Sequence, residues 1–153
     1  MSYVAKTKRT HYCGDLRATH DGSTVVLMGW VDSRRDHGGL VFVDMRDRNG
    51  LVQIVLNPID AKMKTSKDMR NEYVVAITGK VRRRPEGSAN KKLPTGEIEV
   101  EATDCAILSE SKSLPFQVQE ENVNEMLRLK YRYLDLRSNR MQKSLRVRHE
   151  LNQ

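Results

Sequence analysis

The side chains best suited to chemistry in this sequence lie on the polar faces of two neighbouring strands. Phe42 belongs to LVFVDMRD, where it alternates in phase with Asp44 and Arg46, the polar residues of that segment. Gln53 is on the polar phase of the next segment, LVQIVLN, and its amide carries both donors and an acceptor. An outward aromatic ring beside an amide and an arginine is typical of a surface on which nucleic-acid bases stack.

The same residues allow a structural interpretation. Phe42 would be ordinary packing if the N-terminal segment or a long loop covered it, and the strand pattern favours neither interpretation. Gln53 would serve only the sheet if it paired across the strands with Arg46, the more common arrangement for a single glutamine. Arg34 and Arg35 could clamp phosphates or bases, whereas a charged hairpin loop is the default for two arginines alone.

Two further sets of charged residues alternate along later strands. The first set shares the outer phase of YVVAITGKVRR and the residue after it: Lys80, Arg82 and Arg84. The second set shares the outer phase of EIEVEATDCAIL: Glu97, Glu99 and Glu101. The basic set could follow a nucleic-acid backbone, but pairing between the two sets is the preferred interpretation. One of the glutamates could instead accept from an amino group on a base edge and read its identity.

The sequence predicts no catalytic residue and no metal site. It contains no nucleophile with a base at useful spacing, no glycine-rich phosphate loop and no paired metal ligands. Cys13 and Cys105 have neither a paired spacing nor a histidine partner suited to zinc, so both are expected to be reduced thiols.

The composition predicts a soluble globular chain with a basic surface. Hydrophobic residues make up 38% and charged residues 31% of the 153 positions, and the net charge is +7. A basic surface attracts nucleic acid by counterion release, although a solvated basic face explains the charge equally well. No segment approaches the roughly 20 apolar residues of a membrane span. The N-terminus has no secretory core, so a cytoplasmic location without a membrane partner is expected.

Five segments have strand patterns, and a helix pattern lies between the third and the fourth. The strands are expected at residues 24–31, 40–47, 51–57, 73–83 and 97–108. Asn57 as N-cap and Pro58 at the first helical position predict a helix of about three turns, with Ile59, Met63 and Ser66 on its inner side. This order predicts an all-β OB-fold barrel of five strands with one inserted helix, a fold that binds single strands or oligosaccharides.

Asn49 and Gly50 predict the turn between the second and third strands. A two-residue loop here would define three cross-strand pairs: Arg48 with Leu51, Met45 with Ile54, and Arg46 with Gln53. In this register apolar residues meet apolar residues and polar residues meet polar ones.

The remaining sequence is expected to contain a linker and a second, truncated unit. Residues 84–96 form a long loop before the last strand, at a place where OB barrels often contact ligand. Residues 1–108 are expected to be the barrel, residues 109–124 a polar linker, and residues 125–153 two helical segments. Leu127, Tyr131 and Leu134 have the spacing of one helix face, but these helices have too little apolar surface for a core of their own.

Several stretches resemble a known family. RTHYCGDLR, GWVDSRRDHGGLVFVDMRDRNGLVQIVLNP, ITGKVRRRPEG, LPTGEIEV and EMLRLKYRYLDLR are similar to the N-terminal part of bacterial aspartyl-tRNA synthetases, from about Arg9 onward. The resemblance implies an anticodon-binding OB barrel, a hinge and the truncated α-helical start of a class II catalytic domain. Ser33 departs from the pattern, because many relatives carry arginine there.

The resemblance also implies roles for individual residues. Phe42 would stack on an anticodon base, Gln53 would read the central uracil, and Arg35 would be a further contact. Glu99, with Glu97 as second choice, would lie near the first anticodon base. Arg34 and Arg82 complete the basic contacts that we expect.

Two positions resemble those of synthetases that charge both the aspartate and the asparagine transfer RNA. These are His37, in RRDHGG, and Gly87, in the loop before the last strand. We therefore hypothesise relaxed specificity. The full-length relatives imply ATP and magnesium as cofactors and a homodimer, whereas this chain alone should bind tRNA and catalyse nothing. The alternatives are a free-standing OB-type nucleic-acid-binding module and a protein-interaction barrel.

Overall fold

A computed structural model describes residues 7–153 of the chain. Its five strands are β1 (Thr24–His37), β2 (Leu40–Arg46), β3 (Leu51–Leu56), β4 (Val74–Arg83) and β5 (Ile98–Ser109). They are hydrogen-bonded in the order β1-β2-β3-β5-β4, and β4 pairs in turn with β1, so the sheet closes into a ring. All neighbouring pairs are antiparallel except β3 and β5, which run parallel.

Alternate residues of the strands point into the ring and form its apolar core. These inward residues include Val25, Leu27, Val31, Val41, Val43, Met45, Val52, Ile54, Leu56, Val75, Ile77, Val81, Ile98 and Val100. The polar phases predicted for β2, β3, β4 and β5 imply these inward faces through the two-residue period of strands, and the structure confirms the inward faces. The outward phases of the same strands carry polar residues, among them Gln53, Arg82 and Glu99.

The first strand is longer than its apolar run. It was expected to end at Val31, but it continues to His37 after an irregularity between Val31 and Ser33. Gly38 and Gly39, with φ of 59° and 81°, form the two-residue turn that pairs His37 with Leu40. The residues between Ser33 and His37 thus lie on a strand rather than in a hairpin loop.

The register predicted for β2 and β3 is wrong by two residues. The observed pairs are Arg46 with Leu51, Met45 with Val52, Val43 with Ile54, and Asp44 with Gln53. The turn is longer because the Asp47 side chain closes it, accepting from the backbone N–H of Asn49 at 2.8 Å and of Gly50 at 3.2 Å. A shift of two residues preserves the facing of every side chain, so the predicted faces survive the error.

The helical segment after β3 begins later than predicted. It is a 3-10 helix from Ala61 to Asp68, and Asp60 caps it by accepting from Lys62 N at 2.9 Å. Asn57 instead closes a turn by accepting from Ile59 N at 3.1 Å. Ser66 is buried as predicted, but Ile59 is exposed and so does not belong to an inner stripe.

The residues before β1 pack against the ring. Two short 3-10 turns, Cys13–Asp15 and Ala18–His20, lie there, and Cys13 and Leu16 join the core. Gly14 lies so close to the β2–β3 turn that a Cβ would stand 2.0 Å from Asn49 O. This close approach explains why glycine occupies the position.

Residues Lys112–Gln153 form a second compact unit. Its helices are Glu125–Lys130, Arg132–Asp135 and Asn139–Leu151. Leu134 is buried with Phe116 and Val118, and Leu127 and Tyr131 pack against them, so the predicted helix face is the packed one. Within residues 7–153 no helix is both long and apolar enough to cross a bilayer.

Candidate nucleic-acid interface

A cleft of about 920 Å³ lies between the outward residues of the strands and the loop of residues 84–96. Its strand side is formed by six residues that the sequence analysis predicts to bind nucleic acid: Arg35, His37, Phe42, Gln53, Arg82 and Glu99. Its loop side includes Arg84, Ser88, Asn90, Lys91 and Lys92. The fold therefore brings together residues up to 64 positions apart, from Arg35 to Glu99, at one surface.

Hydrogen bonds join polar side chains into a row across the strand side of the cleft. Arg35 Nη2 on β1 donates to both carboxylate oxygens of Asp44, at 3.2 and 3.1 Å, and lies 3.5 Å from Gln53 Oε1. Gln53 Nε2 on β3 donates to Glu99 Oε2 at 3.0 Å. Arg82 Nε on β4 donates to Glu99 Oε1 at 2.8 Å. The row thus takes one residue from each strand, and its members hold one another in place.

Glu99 is buried although it lies on the outward phase of β5. It is 4% exposed because Gln53 and Arg82 cover it. A buried carboxylate is tolerated when both oxygens have partners, as they do here. Arg82 also contacts the exposed Glu101 at 3.1 Å, so the predicted pairing between the basic and acidic sets is confirmed for this arginine.

Phe42 lines the cleft with a partly exposed ring. Its Cα pairs with that of Arg35 across β1 and β2, which places the ring beside the polar row. Within the described residues the ring stacks on no other aromatic ring. Packing under the first six residues lies outside what the structure describes. The side of the ring that faces the cleft can stack on a planar base.

Arg84 is a cleft residue that the sequence named only as part of a charged set. Its Nε donates to Ile98 O at 3.0 Å, while its Nη2 is buried and has no hydrogen-bond partner among the residues that the structure describes. Burial lowers the pKa of this guanidinium, the neighbouring Arg35 lowers it further, and the carboxylates of Glu99 and Asp44 oppose the shift. A buried donor without a partner favours an incoming acceptor. Its alternation with Arg82 was the only signal for it in the sequence.

Three nominated residues do not line the cleft. Arg34 points to the other face of β1, where its Nε donates to Ser66 O at 3.1 Å. Glu97 is exposed just before β5. Gly87 lies in the loop with φ of 81° and has open space where a Cβ would stand.

Arg46 is not part of the open surface that its strand phase suggested. It is 6% exposed and makes ion pairs with Asp32, at 2.9 Å, and with Glu72. Its guanidinium also lies 5.6 Å from the centre of the Trp30 ring. The alternative in which Gln53 pairs with Arg46 is therefore wrong, and Asp44 is the cross-strand neighbour of Gln53.

The charge of the cleft suits an anionic ligand. Its described lining residues include five cationic side chains: Arg35, Arg82, Arg84, Lys91 and Lys92. Glu99 is the acidic residue among them, and its charge is compensated by Arg82. The guanidinium groups of arginine and the ammonium groups of lysine bind phosphates. The Gln53 amide and the Phe42 ring offer contacts to bases. Among the described residues no group of three His, Cys, Asp or Glu is arranged to hold a metal ion.

Comparison with known proteins agrees with this geometry. The tRNA anti-codon family model, described as an OB-fold nucleic acid binding domain, matches residues 25–108. The chain belongs to this family of OB-fold nucleic-acid-binding domains. The matched range begins in β1 and ends in β5, so it covers all the strand residues of the cleft.

Two curated relatives with the same name are similar to the chain over nearly its whole length. The chain is 55% identical over 146 residues to the aspartate–tRNA(Asp/Asn) ligase of Heliobacterium modesticaldum, covering 94% of this chain and 24% of that protein. It is 56% identical over 149 residues to the ligase of the same name from Trichodesmium erythraeum, covering 94% of this chain and 25% of that protein. The chain thus spans about a quarter of the length of these curated relatives.

Solved structures support the fold. The aspartyl tRNA synthetase of Entamoeba histolytica matches with a TM-score of 0.79 at 20% identity, covering 95% of this chain and 35% of that chain. At this identity the likeness concerns the fold alone.

Proposed function

We propose that this chain is the anticodon-binding region of an aspartate–tRNA ligase, and that its cleft holds unpaired anticodon bases of the aspartate tRNA. The observation that carries the proposal is the convergence of Phe42, Gln53, Glu99 and Arg35 on one cleft. An aromatic ring, a fixed amide and phosphate-binding cations are the groups that single-stranded RNA recognition uses. The two relatives of this name described above are identical to the chain at more than half of the aligned positions.

The geometry suggests how the central anticodon base is read. Glu99 accepts one Nε2 hydrogen of Gln53, which fixes the orientation of the amide. The amide then offers its Oε1 and its second Nε2 hydrogen to a base. Uracil presents an N3–H donor next to the O4 acceptor, which matches this pair, whereas cytosine presents an acceptor and an amino donor instead. Phe42 stacks on the base and so holds it in the plane of the amide.

Relaxed specificity for the aspartate and asparagine tRNAs is part of the proposal. The two anticodons share their first two bases and differ at the third. The names of the relatives, aspartate–tRNA(Asp/Asn) ligases, support it. His37 lines the cleft. Gly87 does not line it but lies in the loop of residues 84–96, whose other residues form its far side.

The activity of a whole synthetase would come from a longer protein. In such a protein aspartate would be joined to ATP and then to tRNA with magnesium, by residues other than those of this sequence. We propose that the helices after residue 124 begin its catalytic domain, that it is a homodimer and that it acts in the cytoplasm. The residues of this chain would select the tRNA by its anticodon.

Binding of a labelled anticodon stem-loop, measured by fluorescence anisotropy over a salt series, tests the function. We expect tight binding of the GUC and GUU loops, and weaker binding when the central U is replaced by C. Equal affinity for all anticodons would refute base recognition and favour a free-standing module that binds single strands without selection. Absence of binding to every loop would favour a protein-interaction role.

A further inference from the structure

The loop on the far side of the cleft ends in a compact turn. Asn90 N donates to Gly96 O at 2.9 Å, Leu93 N donates to Asn90 O at 3.1 Å, and Gly96 N donates to Leu93 O at 3.0 Å. The Asn90 side chain also accepts from Lys92 N at 3.0 Å. These bonds fix residues 90–96 as one unit.

Thr95 attaches this turn to the ring. It is 1% exposed, and its Oγ1 donates to the carbonyl oxygen of Leu51, the first residue of β3, at 2.6 Å. The parallel pairing of β3 with β5 begins only at Ile54 and Val100. The hydroxyl therefore joins the segment before β5 to β3 at a point that the strand ladder does not reach.

Gly96 makes the turn possible. A Cβ at this position would stand 1.8 Å from Asn90 O and 3.0 Å from Leu93 O. These atoms are backbone acceptors of the turn itself, so they cannot move aside without breaking it. A side chain at residue 96 would therefore open the turn.

The turn brings positive charge to the cleft. Asn90, Lys91 and Lys92 line it, and both lysines are exposed. Lysine binds phosphate as a point charge, and its contribution depends on where the backbone holds it. The position of two of the five cations thus depends on the turn and on its attachment through Thr95.

We propose that Thr95 is a positioning residue for anticodon binding, which acts by holding Lys91 and Lys92 against the phosphates of the bound loop. The inference rests on the proposed function and adds a residue that touches no RNA. Thr95 lies outside the lining of the cleft, so its effect must pass through the turn.

Thr95→Val tests the proposal because valine keeps the shape of threonine but has no donor for Leu51 O. We expect the affinity for the GUC stem-loop to fall about tenfold near 0.1 M salt, because two lysines lose their phosphate contacts. The plot of log affinity against log salt concentration should also become shallower, by about 0.7 for each lost contact with single-stranded RNA. Thr95→Ser restores the hydroxyl and should bind as the wild type does. The melting temperature, followed by circular dichroism, should report a folded protein in each case.

A double-mutant cycle separates positioning from general damage to the fold. In a Lys91→Ala, Lys92→Ala background, Thr95→Val should cause no further loss, because the groups through which it acts are absent. Gly96→Ala opens the same turn and serves as a second variant if Thr95→Val does not fold; it should lose affinity and salt dependence to a similar extent.

Three results would overturn the inference. The first is wild-type affinity in Thr95→Val or, where that variant does not fold, in Gly96→Ala. The second is an additive loss in the lysine background. The third is a failure of Thr95→Ser to recover binding. If the wild-type chain binds no stem-loop at all, the proposed function fails and this inference fails with it. If the wild-type chain binds but one of the three results above is found, only this inference fails, so the two failures are distinguishable.

Discussion

Gln53 and Glu99 meet where two strands of the ring run parallel. Each stands one residue before the paired Ile54 and Val100, and Gln53 Nε2 donates to Glu99 Oε2 at 3.0 Å. A buried carboxylate thereby sets the direction of a partly exposed amide. The direction of the Gln53 amide in the cleft is therefore set by a residue 46 positions later in the chain.

Glu99→Gln should weaken discrimination at the central base. The substitution leaves one acceptor oxygen for two donors, Gln53 Nε2 and Arg82 Nε. When that oxygen stays with the charged arginine, the Gln53 amide loses the partner that fixes its orientation, and Arg82 loses an ion pair. A hydrogen bond to a charged group contributes about 1.5–3 kcal/mol, so we expect the preference for central U over C to fall about tenfold or more. Stem-loop affinities for the two anticodons measure this preference.

Glu101→Gln is the matched control for that substitution. Glu101 also contacts Arg82, but it is exposed and makes no bond to Gln53. It should retain the preference for central U. An equal loss in both variants would show that net charge, rather than the orientation of the amide, governs discrimination.

Phe42→Leu should weaken binding without unfolding the chain. Stacking contributes about 1–3 kcal/mol per base, which corresponds to a loss of about 5- to 150-fold in affinity. Phe116→Leu is the matched control, because Phe116 is buried in the second unit. It should lower the stability of that unit and leave stem-loop affinity unchanged. A Phe42→Leu chain that binds as tightly as the wild type would mean that the ring is only packing.

Glu72→Gln should destabilise the ring. Glu72 is 5% exposed and pairs with the buried Arg46. Removing one charge of a buried pair costs about 3–5 kcal/mol, although Asp32 remains to compensate Arg46 in part. Urea unfolding measures the change. Asp21→Asn is the control, since its pair with Arg83 is exposed and long, at 3.9 Å, and it should change stability little.

Stability should decline at alkaline pH in part because of Cys13. Burial, aided by the Asp47 carboxylate, raises the pKa of its thiol in the folded chain. The unfolded thiol ionises near its ordinary value of about 8.5, so above that pH the folded state binds more protons and the free energy of unfolding falls as pH rises. Cys13→Ala should show a shallower decline between pH 8 and 10 in urea titrations; an unchanged slope would contradict this account.

Much of the fold could be predicted from local patterns. On β2 the alternation that puts Phe42 on the polar phase predicts an inward face made of Val41, Val43 and Met45, which do lie in the core. The same rule holds for β3, β4 and β5. The register of β2 and β3 could not be predicted from Asn49 and Gly50 alone, because the Asp47 side chain makes the turn two residues longer. Turn residues show that a turn exists, but side-chain caps determine its length.

The outward position of several cleft residues could be predicted from strand phase, whereas the binding roles proposed for them depended on the family resemblance. Phe42, Gln53 and Glu99 followed from alternation and from the family resemblance. Arg46 shares the strand phase of Phe42 but is buried in an ion pair with Glu72. Glu72 precedes β4 and is part of no strand pattern in the sequence, so this burial could not be predicted. Arg84 Nη2 is buried at the cleft, which its alternation with Arg82 did not indicate.

The most direct test of the account is an NMR measurement of contacts between the chain and a bound GUC stem-loop. We predict intermolecular NOEs between the Phe42 ring protons and the H5 and H6 protons of the central uracil, together with a shifted Gln53 side-chain amide. Contacts confined to another surface, such as the exposed lysines at 62, 64 and 67, with the Phe42 ring unperturbed, would contradict it.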